Sequence, residues 1–297
     1  MFKIRFVVNP HSGIGKYRDI EHLLSIHLDK SKFDYDVVYT QKRGHATEIT
    51  KDAVTKHFDV VVAVGGDGTI REVAGGLVKT DTAMGIIPVG SGNGLARHIG
   101  IPIKLSKAVH VINQMHEELI DTVDVNNNVS VSMAGIGFDA LIAKKFDNSS
   151  QRGFLPYFRF TVGSFFWYKS HTVIVETPEQ TIKCKNTLLV NVANSSQWGF
   201  NVKIAPKASL QDGLLDICVV KKPSLFLLPT RIFLLLIGKL HQDKLAVHVC
   251  KTSQCRIYEQ NEDWQYCHLD GDPIGRQKMI QIALNPKSLK VITPINI

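Results

Sequence analysis

Residues 60–69 read Val-Val-Val-Ala-Val-Gly-Gly-Asp-Gly-Thr, and this junction constrains the fold more than any other stretch of the chain. An unbroken, mostly β-branched run has no polar alternation. Both faces of the strand it forms must therefore be covered, as in a parallel sheet with helices on both sides. The next residues, Ile70-Arg71-Glu72-Val73-Ala74, have helical spacing. The glycines thus stand where a strand stops and a helix begins, the position at which α/β sheets place their ligands. Glycine lets the backbone come close to a ligand. The free N–H groups and the dipole of the following helix favour an anion there, a phosphate in the first instance.

The same grammar recurs on both sides. Residues 1–8 read as a first strand, and the charges of Lys3 and Arg5 argue against a signal peptide. The strand runs into Asn9-Pro10-His11-Ser12-Gly13-Ile14-Gly15-Lys16, rich in turn formers, and then into a mostly apolar helix to about residue 30. This is no Walker A loop, because G-x-x-x-x-G-K-[ST] is absent. A strand is expected over 35–39, ending at Thr40, then helices over 44–57 and 70–78 and a strand over 84–89. A third loop follows, Gly90-Ser91-Gly92-Asn93-Gly94, before Leu95-Ala96-Arg97-His98. Strand, glycine loop and helix repeated to about residue 121 predict a doubly wound α/β domain, with the three loops converging on one edge.

From residue 122 the texture changes. Strands are expected over 123–125, 129–133, 171–176, 188–192, 214–220, 245–250, 254–258, 264–269 and 279–283, with helices near 138–146, 157–168 and 225–240. Few helices separate the later strands, so residues 122–286 are expected to form an antiparallel β-sandwich domain. A last strand is expected over 289–292, after Pro286.

The formal net charge of +8 suits a nucleotide or an anionic membrane surface. No dense Lys/Arg block and no nucleic-acid motif occurs, so no nucleic-acid partner is expected. The five cysteines are odd in number and lack paired C-x-x-C spacing, which argues against a disulfide framework and a zinc site and fits a reducing cytoplasm. The most apolar stretch, residues 225–237, contains Pro229 and Arg231 and falls short of the ~20 apolar residues a membrane span needs.

Gly-Gly-Asp-Gly-Thr at 65–69 resembles the nucleotide-binding loop of the diacylglycerol kinase catalytic-domain superfamily, which includes sphingosine and ceramide kinases and bacterial lipid kinases. NAD kinases and phosphofructokinases carry related loops. Asn-Pro-x-Ser-Gly at 9–13 resembles the opening motif of the lipid kinases, and Pro88-x-Gly-Ser-x-Asn93 their second nucleotide-site motif. The Ser-Gly-Asn-Gly-Leu-Ala form of the latter looks like the sphingosine and ceramide kinase branch. The resemblance implies an ATP-dependent lipid kinase whose chain returns to the first domain over about 287–297. It implies an ATP site at Asn9, Ser12, Gly13, Thr40, Gly65, Gly66, Asp67, Gly68, Thr69, Ser91 and Asn93, with Asp67 acting on Mg²⁺. The plainer role for Asp67 is a cap for a helix starting at Thr69. Asp-Gly-x-Leu-Asp at 212–216 is a family signature in which Asp212, with backbone oxygens of Ser209 and Leu214, implies a second, structural metal. The plainer reading is a turn before a strand.

His268-Leu269-Asp270-Gly271-Asp272-Pro273 stands where the lipid kinases typically carry Asp-Gly-Glu, whose Glu is the proposed general base. Asp272 keeps the carboxylate on a side chain one methylene shorter, and Asp270 is the other candidate. His241, His248 and His268 lack metal spacing and read as ordinary. The acceptor is expected between the domains. Its wall would come from Phe138, Phe154, Phe158, Phe160, Phe165, Phe166, Trp167 and the 226–237 helix, although aromatics are more commonly core. Arg152, Arg159, Lys169, Lys221, Lys222, Arg231 and Lys239 flank these stretches. An apolar face with a basic rim suits a cytoplasmic, peripheral protein that meets its lipid at an anionic bilayer. Open sheet edges leave a homodimer open. Diacylglycerol, monoacylglycerol, a sphingoid base, ceramide and undecaprenol are all compatible acceptors. An NAD kinase-like enzyme and a non-catalytic lipid or nucleotide sensor are the alternatives.

Overall fold

The computed structural model describes residues 1–13, 19–149, 154–199, 202–261, 263 and 265–295. Gly15, Lys16, Arg152, Trp264 and the side chain of Phe154 lie outside the described residues. The chain divides into two compact units, Met1–Thr122 with Pro286–Ile297, and Val123–Asn285.

The first unit runs β1 (Phe2–Val8), α1 (Ile20–His27), β2 (Phe33–Tyr39), α2 (His45–Thr55), β3 (Val60–Gly65), α3 (Asp67–Leu77), β4 (Ala83–Pro88), α4 (Gly94–His98), α5 (Leu105–Gln114) and β5 (Glu117–Val125). The strands pair in parallel in the order β2-β1-β3-β4. The order reverses between β1 and β3, so the loops leaving those two strands part at a topological switch point. Residues 60–64 are fully buried, as the unbroken apolar run requires. α3 covers them with Ile70, Val73, Ala74 and Leu77, and α5 covers β4 with Ala108, Val109, Val111 and Ile112. Arg5, 7% exposed, ties β1 to its surroundings by ion pairs of 2.7 Å to both Asp36 and Asp52.

The second unit continues with β6 (Asn128–Ser130), β7 (Met133–Gly137), α6 (Phe138–Asp147), α7 (Phe154–Phe165), β8 (His171–Glu176), β9 (Thr181–Ala193), β10 (Gln197–Gly199), β11 (Val202–Lys203), β12 (Leu215–Lys221), α8 (Leu228–Leu236), β13 (Val247–Thr252), β14 (Gln254–Glu259), β15 (Gln265–Leu269), β16 (Asp272–Gln277) and β17 (Met279–Ile292). Its strand pairs are antiparallel. Period-2 alternation makes β12 serve two cores. Leu215, Ile217 and Val219 enter one cluster, while Cys218 and Val220 enter another that α6, α7 and α8 help to build. The five cysteines are all free and all on strands. Burial pushes the thiols of Cys218, Cys255 and Cys267 up to about 12, so they are inert core residues.

Several element boundaries differ from the sequence expectation. The strand expected over 129–133 is instead β6 and β7, because Met-Ala-Gly-Ile-Gly carries two glycines that local propensity assigns to no strand. β16 was not foreseen. The strands expected over 279–283 and 289–292 are one, β17, which continues through Pro286. α7 begins three residues before the expected helix, and the apolar 225–240 stretch is helical only over α8 and a short 3₁₀ turn. Among the described residues no helix is long and apolar enough to cross a membrane.

Candidate functional site

The three glycine loops meet at the C-terminal ends of β1, β3 and β4. Asn9 donates its backbone N–H to Val64 O (3.0 Å) and its Nδ2 to Thr69 Oγ1 (3.1 Å), joining the first loop to the start of α3. Gly13, at φ +69°, lies so near Val89 O that any Cβ would collide with it. The third loop is pinned in turn by Val89 N–H to Gly65 O at 3.0 Å. Gly90 packs on Gly66, where a Cβ on Gly90 would stand 2.5 Å from Gly66 Cα. Thr40 directly follows β2 and donates its N–H to Val8 O at 2.9 Å, beside the first loop. All eleven residues expected to hold ATP therefore lie in the first unit, on loops that share backbone contacts.

Asp67 is not the cap that the sequence allowed for. α3 starts at Asp67 itself, with Gly66 as its N-cap. The carboxylate turns to the third loop, where Oδ2 accepts from Asn93 N–H (2.8 Å) and Oδ1 from Gly94 N–H (2.6 Å). Asn93, in the left-handed conformation at φ 53°, donates Nδ2 to Gly90 O at 2.7 Å. Among the described residues its buried Oδ1 finds no partner. A buried acceptor of this kind is costly unless a donor arrives to use it. Ser91, two residues earlier, is exposed.

In the second unit, Asp272 opens β16, across from Leu269. The two residues between them, Asp270 (φ 51°) and Gly271 (φ 86°), both have positive φ, the mark of a type I′ hairpin turn. Asp270 is 8% exposed and its carboxylate is fully engaged. Oδ1 accepts from Ser130 Oγ (2.8 Å), Ser132 N–H (2.8 Å) and Met133 N–H (2.9 Å), and Oδ2 from Val131 N–H (3.0 Å). Asp270 is thereby an anchor of the turn, and Asp272 beyond it is half-buried. His268, read as ordinary from sequence, is 3% exposed and 3.0 Å from Asp139, a pairing that a separation of 129 positions hides from any local pattern.

Ser209, Asp212 and Leu214 come together ahead of β12. Asp212 Oδ1 accepts from Leu214 N–H (3.1 Å) and Oδ2 pairs with Lys251 Nζ (2.8 Å). Lys251 stands directly across the β12–β13 ladder from Asp216 and is also 3.4 Å from Asp216 Oδ2. The Asp212 hydrogen bond holds the Lys251 ammonium above its ordinary pKa. Both Asp212 oxygens face donors, an N–H and an ammonium, so Lys251 places a positive charge where the resemblance implies a second metal. Among the described residues no group of three His, Cys, Asp or Glu has a metal-holding arrangement.

Two family descriptions match the chain: "Diacylglycerol kinase catalytic domain" over residues 3–125, and "YegS C-terminal NAD kinase beta sandwich-like domain" over residues 132–293. A diacylglycerol kinase of Bacillus subtilis (strain 168) is 29% identical over 282 residues, 92% of this chain and 90% of that protein. One from Staphylococcus aureus (strain MRSA252) is 28% identical over 236 residues, 75% of this chain and 72% of its own. A crystal structure of a diacylglycerol kinase from Bacillus anthracis str. Sterne matches with a TM-score of 0.73 at 21% identity, over 98% of this chain and 97% of the other, a likeness of fold.

Proposed function

The chain belongs to the diacylglycerol kinase catalytic-domain family, as a lipid kinase with an alcohol acceptor, and from that premise we propose that it transfers the γ-phosphate of ATP to the hydroxyl of diacylglycerol at a membrane surface. The observation that carries this is the convergence of three glycine loops locked by Asp67. Phosphoryl transfer asks for positioning and for neutralisation of the phosphates more than for covalent chemistry. The Ser12 hydroxyl and backbone N–H groups at Gly13 and Gly65–Thr69 would cradle the phosphates, and Thr40, Ser91 and Asn93 Oδ1 would meet the rest of the nucleotide. Asp67 fits Mg²⁺ through water, because each of its oxygens already accepts one N–H and Mg²⁺ keeps several of its waters. Asp67 would hold the metal, which would supply positive charge to offset that of the phosphates. Asp272 would take the proton of the acceptor hydroxyl.

No second metal belongs to this proposal, since Lys251 supplies the positive charge beside Asp212 and Asp216. Lys251→Met is expected to cost about 1 kcal/mol, the pair being partly exposed. Without nucleotide, added Mg²⁺ is expected to raise the melting temperature of this variant and leave that of the wild type unchanged. A wild-type rise that Asp212→Asn abolishes contradicts this.

In this reading a cavity and an exposed apolar face of the second unit serve as acceptor site and docking face. A cavity of about 610 Å³ is lined by Leu141, Trp167 and Tyr168 together with Lys145, Lys169, Arg276 and Asp263, a mixed wall whose three cations would receive an anionic headgroup. α8 has no buried residue at all, and Phe226 (95%), Phe233 (60%) and Trp167 (87%) stand in solvent. α7 and α8 lean on the same inner cluster. Exposed aromatics beside Lys169, Lys203 and Lys239 match the interfacial face of a peripheral membrane protein. Burying one Phe is worth about 1.5–3 kcal/mol, so Phe226→Ser with Phe233→Ser is expected to weaken binding to anionic vesicles at least ~10-fold. Flotation checks it, and unchanged binding contradicts the docking face.

Acceptor choice is tested with MgATP and mixed micelles containing diacylglycerol, monoacylglycerol, sphingosine, ceramide or undecaprenol in turn. Phosphatidic acid is the expected major product. Absence of any phosphorylated lipid, with ATP bound, overturns the proposal in favour of the sensor.

A further inference from the structure

The turn that presents Asp272 is held by two buried side chains to which phosphoryl transfer, as set out above, gives no task. Asp139 and His268 are 4% and 3% exposed, and His268 Nε2 lies 3.0 Å from Asp139 Oδ2. Gly135 makes the room for them. It stands directly across the β7–β15 ladder from His268, and a Cβ there would collide with both His268 Nε2 and Asp139 Oδ2. On its other side, His268 Nδ1 accepts the N–H of Gly271 at 3.3 Å. That role makes Nε2 the nitrogen that carries hydrogen, so it donates to Asp139. Asp139 sits in the first turn of α6, and its Oδ1 accepts from Ala140 N–H at 2.8 Å. A line of hydrogen bonds therefore runs from α6 through the imidazole to the residue immediately before Asp272.

Burying such a pair gives a fold less than apolar side chains of the same volume do. Its presence beneath this turn asks for another role. We propose that Asp139 and His268 are positioning residues for Asp272. Asp270 fixes one half of the turn through its four donors, and the imidazole fixes the other half at Gly271. With both halves held, the short side chain of Asp272 leaves the hairpin in one direction, and the reach that a longer carboxylate finds by flexing is set by the backbone instead. This rests on Asp272 being the general base.

The test is a double-mutant cycle on the full chain, with kcat, KM for ATP and melting temperature measured with MgATP and diacylglycerol micelles. A displacement of about 1 Å at a reacting group costs on the order of 100-fold in rate. His268→Leu is accordingly expected to lower kcat by about 10- to 100-fold with KM for ATP unchanged. His268→Asn, whose amide oxygen takes the place of Nδ1 as acceptor for Gly271, is expected to recover part of that loss. In the Asp272→Asn background, His268→Leu is expected to slow the enzyme no further, because nothing remains to be positioned. A merely structural pair gives the opposite pattern, an equal fractional loss in both backgrounds and no recovery with Asn, and that result overturns the proposal. A slow Asp272→Asn enzyme with a full-rate His268→Leu overturns it alone. A full-rate Asp272→Asn enzyme overturns the general-base assignment and this inference with it.

Discussion

Asp272→Asn is expected to slow phosphoryl transfer by about 10²- to 10⁴-fold, the usual contribution of a positioned acid–base group. The substitution is nearly isosteric and removes only the capacity to take a proton. The hairpin that carries residue 272 is held by Asp270 and His268, which it leaves untouched. Every residue proposed to hold ATP lies in the first unit. Equilibrium binding of ATP is therefore expected to be unchanged and the melting temperature close to that of the wild type. A fall in kcat without a fall in ATP affinity is the signature of a lost base. An equal fall in both points to a disturbed nucleotide site.

Asp270→Ala is expected to be the most destabilising single change in the second unit. Four donors converge on this carboxylate, three of them backbone N–H groups of successive residues, 131–133, and all are buried. Each buried donor left without a partner costs about 1–3 kcal/mol, and neighbouring losses overlap as the loop relaxes. We expect about 4 kcal/mol in total, measured by urea unfolding, and a melting temperature lower by roughly 10 °C for a unit of this size. Asp270→Asn keeps an acceptor at Oδ1 but sets an NH₂ group against Val131 N–H. About half the penalty of the alanine is expected there, on the same mutational scale. Equal stability of Asp270→Ala and wild type contradicts the anchor role.

Local chemistry made the first unit legible. Strand, glycine loop and helix each announce themselves within about ten residues, through β-branched runs, turn formers and apolar periodicity. The loops at Gly13, Gly65 and Gly90 were found in this way, with Asp67 among their glycines, whereas Asp272 came from the resemblance of residues 268–273 to the lipid kinases' Asp-Gly-Glu string. What each carboxylate bonds to was not legible. Asp67 reaches 26 residues on to Asn93, Asp270 reaches 137 back to Met133, and Asp139 meets His268 across 129. Such pairings are made by strand order and register, which no short window contains. The same limit explains β7, whose Gly135 makes room for a buried His–Asp pair, and Lys251, which falls opposite Asp216 only once β12 and β13 are in register.

A lipid acceptor distinguishes this enzyme from kinases of soluble substrates. The most direct measurement is a competition in one vessel, with wild-type protein, Mg²⁺, ATP labelled at the γ-phosphate, diacylglycerol in mixed micelles and NAD in the surrounding water. The two products separate by solvent extraction. The expected result is label in the organic phase as phosphatidic acid, with none on NAD. Label on NAD, with an empty organic phase, contradicts the claim and makes the protein a kinase of a soluble acceptor.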